Sequence, residues 1–211
     1  MNEQIPKWLK LNNEIMIQKD GGYQFEKDRE AAHSYFVDYI NQNTVFFHDL
    51  KEKLDYLIKN DYYEEEFLQQ YSYEQLKEVF DIAYDKKFRF PSYMSAFKFY
   101  NDYALKTNDR AKILERYEDR IAIVALYLAD GDFEKAKKLT SMLINQEFQP
   151  ATPTFLNAGR KRRGELVSCF LLEMNDSLND IAMVENISMQ LSKVGGGVAI
   201  NLSKIRAKCE A

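Results

Sequence analysis

Residues 166–202, LVSCFLLEMNDSLNDIAMVENISMQLSKVGGGVAINL, decide the fold. Leu166 to Leu172 and Val198 to Leu202 are short apolar runs rich in branched side chains, set off by turn residues, and read as strands. Between them Leu178, Ile181, Val184, Ile187 and Leu191 recur at the spacing of one helix face, over Ser177 to Ser192. Strand, helix, strand predicts a βα unit with a parallel sheet, whose strands are normally covered on both faces.

Upstream of Pro150 the periodicity is helical. Residues 1–26 are a weakly patterned lead-in with a turn at Gly21-Gly22. From Glu26 onward Ala32, Phe36, Tyr39 and Ile40 share a face, and Asn41 to Thr44 end that run. A helix over Asp49 to Lys59 carries Leu50, Leu54 and Leu57. Ser72-Tyr73-Glu74-Gln75 has capping-box spacing and starts a helix bearing Leu76, Val79, Phe80 and Ala83. Pro91-Ser92 opens another that ends near Leu105. Thr107-Asn108-Asp109 caps the longest, with Ile113, Tyr117, Ile121, Val124 and Leu128 as its stripe. Asp130-Gly131-Asp132 breaks it, and Phe133 to Asn145 forms one more. The expected organisation is a helical domain over 1–148 and a strand-bearing domain over 149–211.

Composition narrows the function classes. Hydrophobic residues make up 45% and aromatics 14%, enough for a packed core. A formal net charge of −4 disfavours a nucleic-acid partner. Two Cys and two His, with no CxxC, exclude a zinc ribbon or a disulfide scaffold, so no metal is expected and a reducing, cytoplasmic compartment is. The start, MNEQIPKWLKLNNEI, lacks a signal-peptide apolar run. The longest apolar run, Ile121 to Ala129, falls well short of the ~20 residues that span a bilayer, so no membrane partner is expected.

The residues with chemical potential lie around the deciding stretch. Cys169 sits inside an apolar strand, where a lone Cys is most often core; beside Ser168 and phosphate-type features it is also a candidate thiol. With neighbouring side chains on opposite faces, an inward Cys169 leaves Ser168 its backbone, or its hydroxyl toward a turn. Thr152-Pro153-Thr154 is a proline-rigidified turn or a set of hydroxyls and amides for phosphate oxygens. Gly195-Gly196-Gly197 is a helix C-cap and tight return, or a backbone that passes close to a ligand; it is neither a Walker A sequence nor GxGxxG. Arg160-Lys161-Arg162-Arg163 reads as a solvated hairpin tip, and Asp176-Ser177 as a helix cap. His33 and His48 lack ligand-spaced neighbours, and the aromatic stretches around Tyr62-Tyr63 and Tyr93 to Tyr103 read as core.

Longer stretches carry a family resemblance. QPATPTFLNAGRKRRGELVSCFLLE, NDSLNDI and QLSKVGGGVAINLSKIRA closely resemble the large, catalytic subunit of class Ib ribonucleotide reductase, as do VDYINQNTVFFHDLKEKLDYLI and FPSYMSAFKFYNDYALKTND. The resemblance covers essentially the whole chain. It implies a mainly α N-terminal domain with a shortened ATP-cone-like start, then the first β/α elements of an incomplete ten-stranded α/β barrel. It implies radical reduction of ribonucleoside diphosphates to deoxyribonucleoside diphosphates. No cofactor is then bound directly: a dimetal small subunit supplies the radical, a deoxynucleoside triphosphate is the effector, and a glutaredoxin- or thioredoxin-like dithiol is the reductant.

Carried onto this sequence, the resemblance makes Cys169 the redox thiol of the first barrel strand. It makes Thr152 or Thr154, Ser168 and Gly197 substrate-binding residues, and puts Asp176 and Arg206 at the allosteric specificity site. Lys193 to Lys204 matches the loop linking effector to substrate. The family's partner cysteine, radical cysteine and C-terminal reductant cysteines lie beyond Ala211, and Cys209 falls where the family has Gly. The expectation is therefore an N-terminal piece of a split or truncated reductase, inactive alone. Its expected partners are a separately encoded C-terminal alpha fragment, the radical-generating beta subunit, and a second alpha subunit. The alternative is an inactive remnant, or a nucleotide-binding regulatory module that pairs with an intact reductase.

Overall fold

The lead-in is more ordered than its weak pattern predicts. A computed structural model, describing residues 5–13, 16–25, 29–162 and 164–208, forms α1 (Lys7–Asn13) and an antiparallel hairpin of β1 (Met16–Lys19) and β2 (Gly22–Phe25). The turn is Asp20-Gly21 rather than Gly21-Gly22. Both residues have positive φ, 53° and 79°, as a two-residue type I′ loop requires. The predicted helix start at Glu26 lies outside the described residues. From Arg29 the chain runs through α2 (Arg29–Tyr35), a π turn (Phe36–Ile40) and α3 (Asn41–Asn43). Ala32 and Ile40 are buried as predicted, but Tyr39 is 44% exposed, because the π turn inserts a residue and shifts the phase of the stripe.

Capping side chains set the next boundaries. α4 (Leu50–Lys59) begins at Asp49, whose carboxylate accepts from Glu52 N at 2.8 Å. After the short α5 (Glu65–Leu68), α6 (Tyr73–Asp85) starts at the Ser72/Gln75 capping box and buries Leu76, Val79, Phe80 and Ala83. α7 (Tyr93–Lys98) starts at a second box, Ser92/Ser95, and passes into a second π turn, Phe99–Tyr103.

The helix expected from Thr107 begins only at Tyr117. Local hydrogen bonds close 107–112 into a loop: Lys112 N donates to Thr107 Oγ1 at 3.1 Å and Ala111 N to Asp109 Oδ1 at 3.0 Å. Thr and Asp side chains here compete with the helix for backbone partners. Ile113, in phase with the helical stripe, instead lies in extended chain bridging Thr44 and Lys106. α8 (Tyr117–Ala129) packs against α6 and against α9 (Phe133–Ile144), with Ile121 to Leu126 fully buried. Asp130 (φ 51°) and Gly131 (φ 85°) end α8, and Asp132 caps α9 by accepting from Lys135 N at 3.0 Å.

The basic run is a solvated tip only in part: Lys161 and Arg162 are exposed, but Arg160 is not. Met1–Pro150 forms one unit that also includes Ala158–Arg162, and Arg160 is only 8% exposed within it. Glu64 N donates to Gly159 O and Lys161 N to Tyr62 O, both at 3.0 Å. Arg160 ion-pairs with Glu115 and donates to Tyr103 O. Glu115, fully buried, also accepts from Tyr63 OH at 2.7 Å, Leu105 N at 2.9 Å and Arg120 Nη1 at 3.1 Å. Burial alone would raise its carboxyl pKa. The Arg160 and Arg120 guanidiniums outweigh that and hold it at about 2. Lys161 pairs with Glu66 and Arg162 with Asp61 at the surface, while Arg163 lies outside the described residues.

Ala151–Asn157 and Arg163–Ala211 form a second unit. It contains α10 (Thr152–Asn157), β3 (Cys169–Glu173), α11 (Leu178–Lys193) and β4 (Gly197–Asn201). β3 and β4 pair in parallel, as the strand–helix–strand pattern predicts, with Cys169 opposite Gly197 and Glu173 opposite Asn201. Leu166 to Ser168 precede the strand instead of joining it. Among the described residues only one face of the strand pair is covered, not both as expected. Phe170, Leu172, Val198 and Ile200 are half-buried, whereas Cys169, Leu171 and Ala199 are exposed. α11, at 16 residues, is the longest described helix and packs on β3 and β4.

Candidate functional site

The candidate residues gather at the two ends of one strand pair. At the first end, α11 stops at Gly195, whose φ of +90° favours glycine. Gly195 N donates to Ser192 O at 3.0 Å and Gly196 N to Leu191 O at 3.2 Å, which is the C-cap reading. The close neighbour at Gly196 is a protein ring: a Cβ there would sit 2.2 Å from Phe170 Cε2. Gly197 N then donates to Ser168 O at 2.7 Å, which sets Gly197 opposite Cys169. Ser168 thus uses its backbone, and its Oγ lies 3.9 Å from Cys169 Sγ.

Thr152-Pro153-Thr154 forms the first turn of α10 rather than a free-standing turn. Proline is tolerated there because first-turn N–H groups have no helical partner. Thr154 Oγ1 donates to Leu166 O at 3.2 Å and Asn157 Nδ2 to Glu165 O at 2.9 Å. These bonds fasten α10 to the segment leading into β3, so Thr152 and Thr154 belong to the Cys169 end of the unit. Cys169 is a free, exposed thiol, not the buried one expected, because none of the described residues covers that face of β3. A ligand can reach the sulfur across Gly197, which presents no side chain.

The other end is charged. Asp176 Oδ2 meets Arg206 Nε at 2.7 Å, and Lys204 Nζ lies 3.1 Å from Glu173 Oε2 and 3.4 Å from Asn175 Oδ1. Ser177, not Asp176, caps α11, accepting from Asp180 N at 3.2 Å. Five-residue strands at ~3.3 Å per residue separate Cys169 from this cluster by roughly 13 Å. Lys193 to Lys204, expected as a loop, contains the five-residue β4 between two turns. The support of Gly196 by Phe170 and the pairing of Asp176 with Arg206 were not readable from spacing; the Gly triplet alone hinted at the first.

Cys209 lies outside the described residues. Among the described residues no His/Cys/Asp/Glu group is arranged to hold a metal ion, His33 and His48 are exposed, and no helix is long and apolar enough to cross a membrane.

Three family models match the chain in succession. Ribonucleotide reductase N-terminal covers residues 8–88, the ribonucleotide reductase all-alpha domain covers 89–163, and the ribonucleotide reductase barrel domain covers 167–211. The chain is 77% identical over 211 residues to the ribonucleoside-diphosphate reductase NrdEB subunit alpha of Bacillus subtilis (strain 168), covering all of this chain and 20% of that protein. It is 77% identical over 208 residues to a second alpha subunit of the same organism, covering 99% of this chain and 30% of that protein. Identity to the alpha subunit of Mycoplasma genitalium is 48% over 204 residues, with 97% and 28% covered. The chain belongs to the ribonucleotide reductase large-subunit family and corresponds to its N-terminal region. It spans 20% to 30% of the length of these relatives.

Proposed function

We propose that this chain contributes the helical domain and the first barrel strands of a class Ib ribonucleoside-diphosphate reductase alpha subunit. In this reading residues 1–148 are the helical module and 149–211 open the barrel. Cys169 supplies one of two thiols that reduce a ribonucleoside diphosphate. The observation that carries the reading is the exposed Cys169 thiol on the open face of a parallel strand pair, opposite Gly197.

The roles are those that the family resemblance implies, and the positions of the residues are compatible with them. Thr152, Thr154, Ser168 and Gly197 hold the substrate at the Cys169 end, with Gly197 leaving room for it. Asp176 and Arg206 bind the deoxynucleoside triphosphate effector at the far end of the strands, and β4 connects the two sites. A dithiol reduction needs a second sulfur within disulfide reach, Cα atoms about 4.4–6.8 Å apart. Cys169 is the free cysteine among the described residues, so the second thiol comes from further barrel polypeptide, in the same or a separate chain. The radical comes from a dimetal beta subunit and the reducing equivalents from a glutaredoxin- or thioredoxin-like dithiol. A second alpha subunit completes a cytoplasmic assembly.

The test is Cys169→Ser in a complex with the remaining barrel polypeptide and the beta subunit. The substitution keeps side-chain size and removes the redox step. Turnover should fall to background while nucleoside diphosphate affinity stays within about twofold. Full multiple-turnover activity would make Cys169 a packing residue and end the reading.

A further inference from the structure

Far from Cys169 in sequence, several irregular parts of the helical unit meet at one cavity of 220 Å³. Its aromatic lining includes Trp8 of α1, Tyr35 of α2, Tyr39 of the first π turn, Tyr93 of α7 and Tyr100 of the second π turn. Trp8 meets Tyr35 edge-on at 5.6 Å, and Tyr35 stacks on Tyr39 at 5.5 Å. Faces and edges of this kind accept a further ring.

Two cations line the same cavity. Arg110 comes from the segment that the sequence assigns to a helix and that instead turns back on itself, and Lys106 immediately precedes that segment. Neither forms an ion pair among the described residues. Burial and the like charge of Arg110 lower the Lys106 pKa; Asp102 offsets part of this but is itself paired with Lys98. Lys106 Nζ donates one bond, to Asn101 O at 3.0 Å, which leaves donors unused. Arg110 sits at φ 59°, a conformation uncommon outside glycine, Asn and Asp. Strained backbone and π turns concentrate at functional sites, and here they border one concavity.

Two positive charges without an ion-pair partner among the described residues favour an anion, and the aromatic lining favours a flat apolar body. We propose that this cavity binds a small aromatic anion, a single planar ring bearing one carboxylate or phosphate group. The cavity lies within the helical unit, and the proposal does not depend on the reductase reading.

Trp8 is the single tryptophan of the chain, so its fluorescence reports on this cavity directly. The 211-residue chain would be titrated with phenyl phosphate and with benzoate, using phenol as the uncharged ring and inorganic phosphate as the ringless anion. At least one anionic ring should give a saturable change, and the tighter of the two identifies the anion. Phenol and inorganic phosphate should bind at least about tenfold more weakly, as expected if each half contributes a charge-assisted or stacking contact. Lys106→Gln and Arg110→Asn, the latter tolerant of positive φ, should each weaken the anionic ring about tenfold with unchanged helical circular dichroism. A linear response to both anionic rings, phenol binding equally well, or variants with unaltered affinity would overturn the proposal.

Discussion

Helices α8 and α11 both carry apolar residues at helical spacing, yet their surroundings are opposite. In α8, Ile121 to Leu126 are all fully buried. In α11, Val184 is buried while Leu178 is 81% and Met189 63% exposed. Propensity does not separate them; partners do, because helix stability in proteins comes mainly from packing an apolar face. The helical unit buries its own stripes among α4, α6, α8 and α9. The strand unit leaves Leu171 84% and Val194 65% exposed, and a two-stranded sheet is marginal by itself. One unit has a core of its own, and the other leaves apolar residues exposed.

The largest blow to this contrast should come from the buried ion cluster that fastens 158–162 to the helical unit. Glu115→Ala leaves the Arg120 and Arg160 guanidiniums without their carboxylate and should cost about 4 kcal/mol in denaturant unfolding. A loss below about 1 kcal/mol would mean that solvent or another group compensates them. The same carboxyl gives a pH signature. Its folded pKa of about 2 lies below the usual 4.5, so its contribution is complete above about 4.5 and is lost as pH falls toward 2. That contribution is about 3 kcal/mol, and Glu115→Gln should flatten this acid limb.

Next in size is Gly159→Ala. Gly159 has φ +73°, and a Cβ there would lie 2.7 Å from Ile123 Cγ2 and 2.9 Å from Phe67 Cζ, inside the helical core. Strain and overpacking together should cost about 3 kcal/mol, read as a lowered Tm. Smallest should be Leu171→Thr, which removes an exposed leucine from β3. In the isolated chain it should change stability by less than about 0.5 kcal/mol, against 2 kcal/mol or more, roughly, once further strands cover that face. A large effect in the isolated chain would show that the face is already covered in solution.

Where local chemistry decides the backbone, the sequence was readable. The Ser72 capping box, the Asp130-Gly131-Asp132 break and the parallel strand–helix–strand order all appear as expected. Reading failed where a distant partner or a side-chain bond decides. Ile113 and Tyr117 are in helical phase, but Thr107 and Asp109 hold a loop in front of α8. Arg160 looks solvated in a run of four cations, and its burial is explained by Glu115, 45 positions earlier, together with the Tyr103 carbonyl. At the candidate site, Cys169 and the Gly triplet stand out as residue types. The pairing of Asp176 with Arg206 has no local signal, since chain folding brings the two together.

Hydrogen exchange on the isolated chain tests the central contrast most directly. Backbone groups at an open sheet edge face solvent, whereas those of a buried helix do not. Amides of 169–173 and 197–201 should exchange faster than those of 117–129, and should gain protection when the remaining barrel polypeptide is added. Equal protection of strands and helix in a concentration-independent monomer would contradict the account.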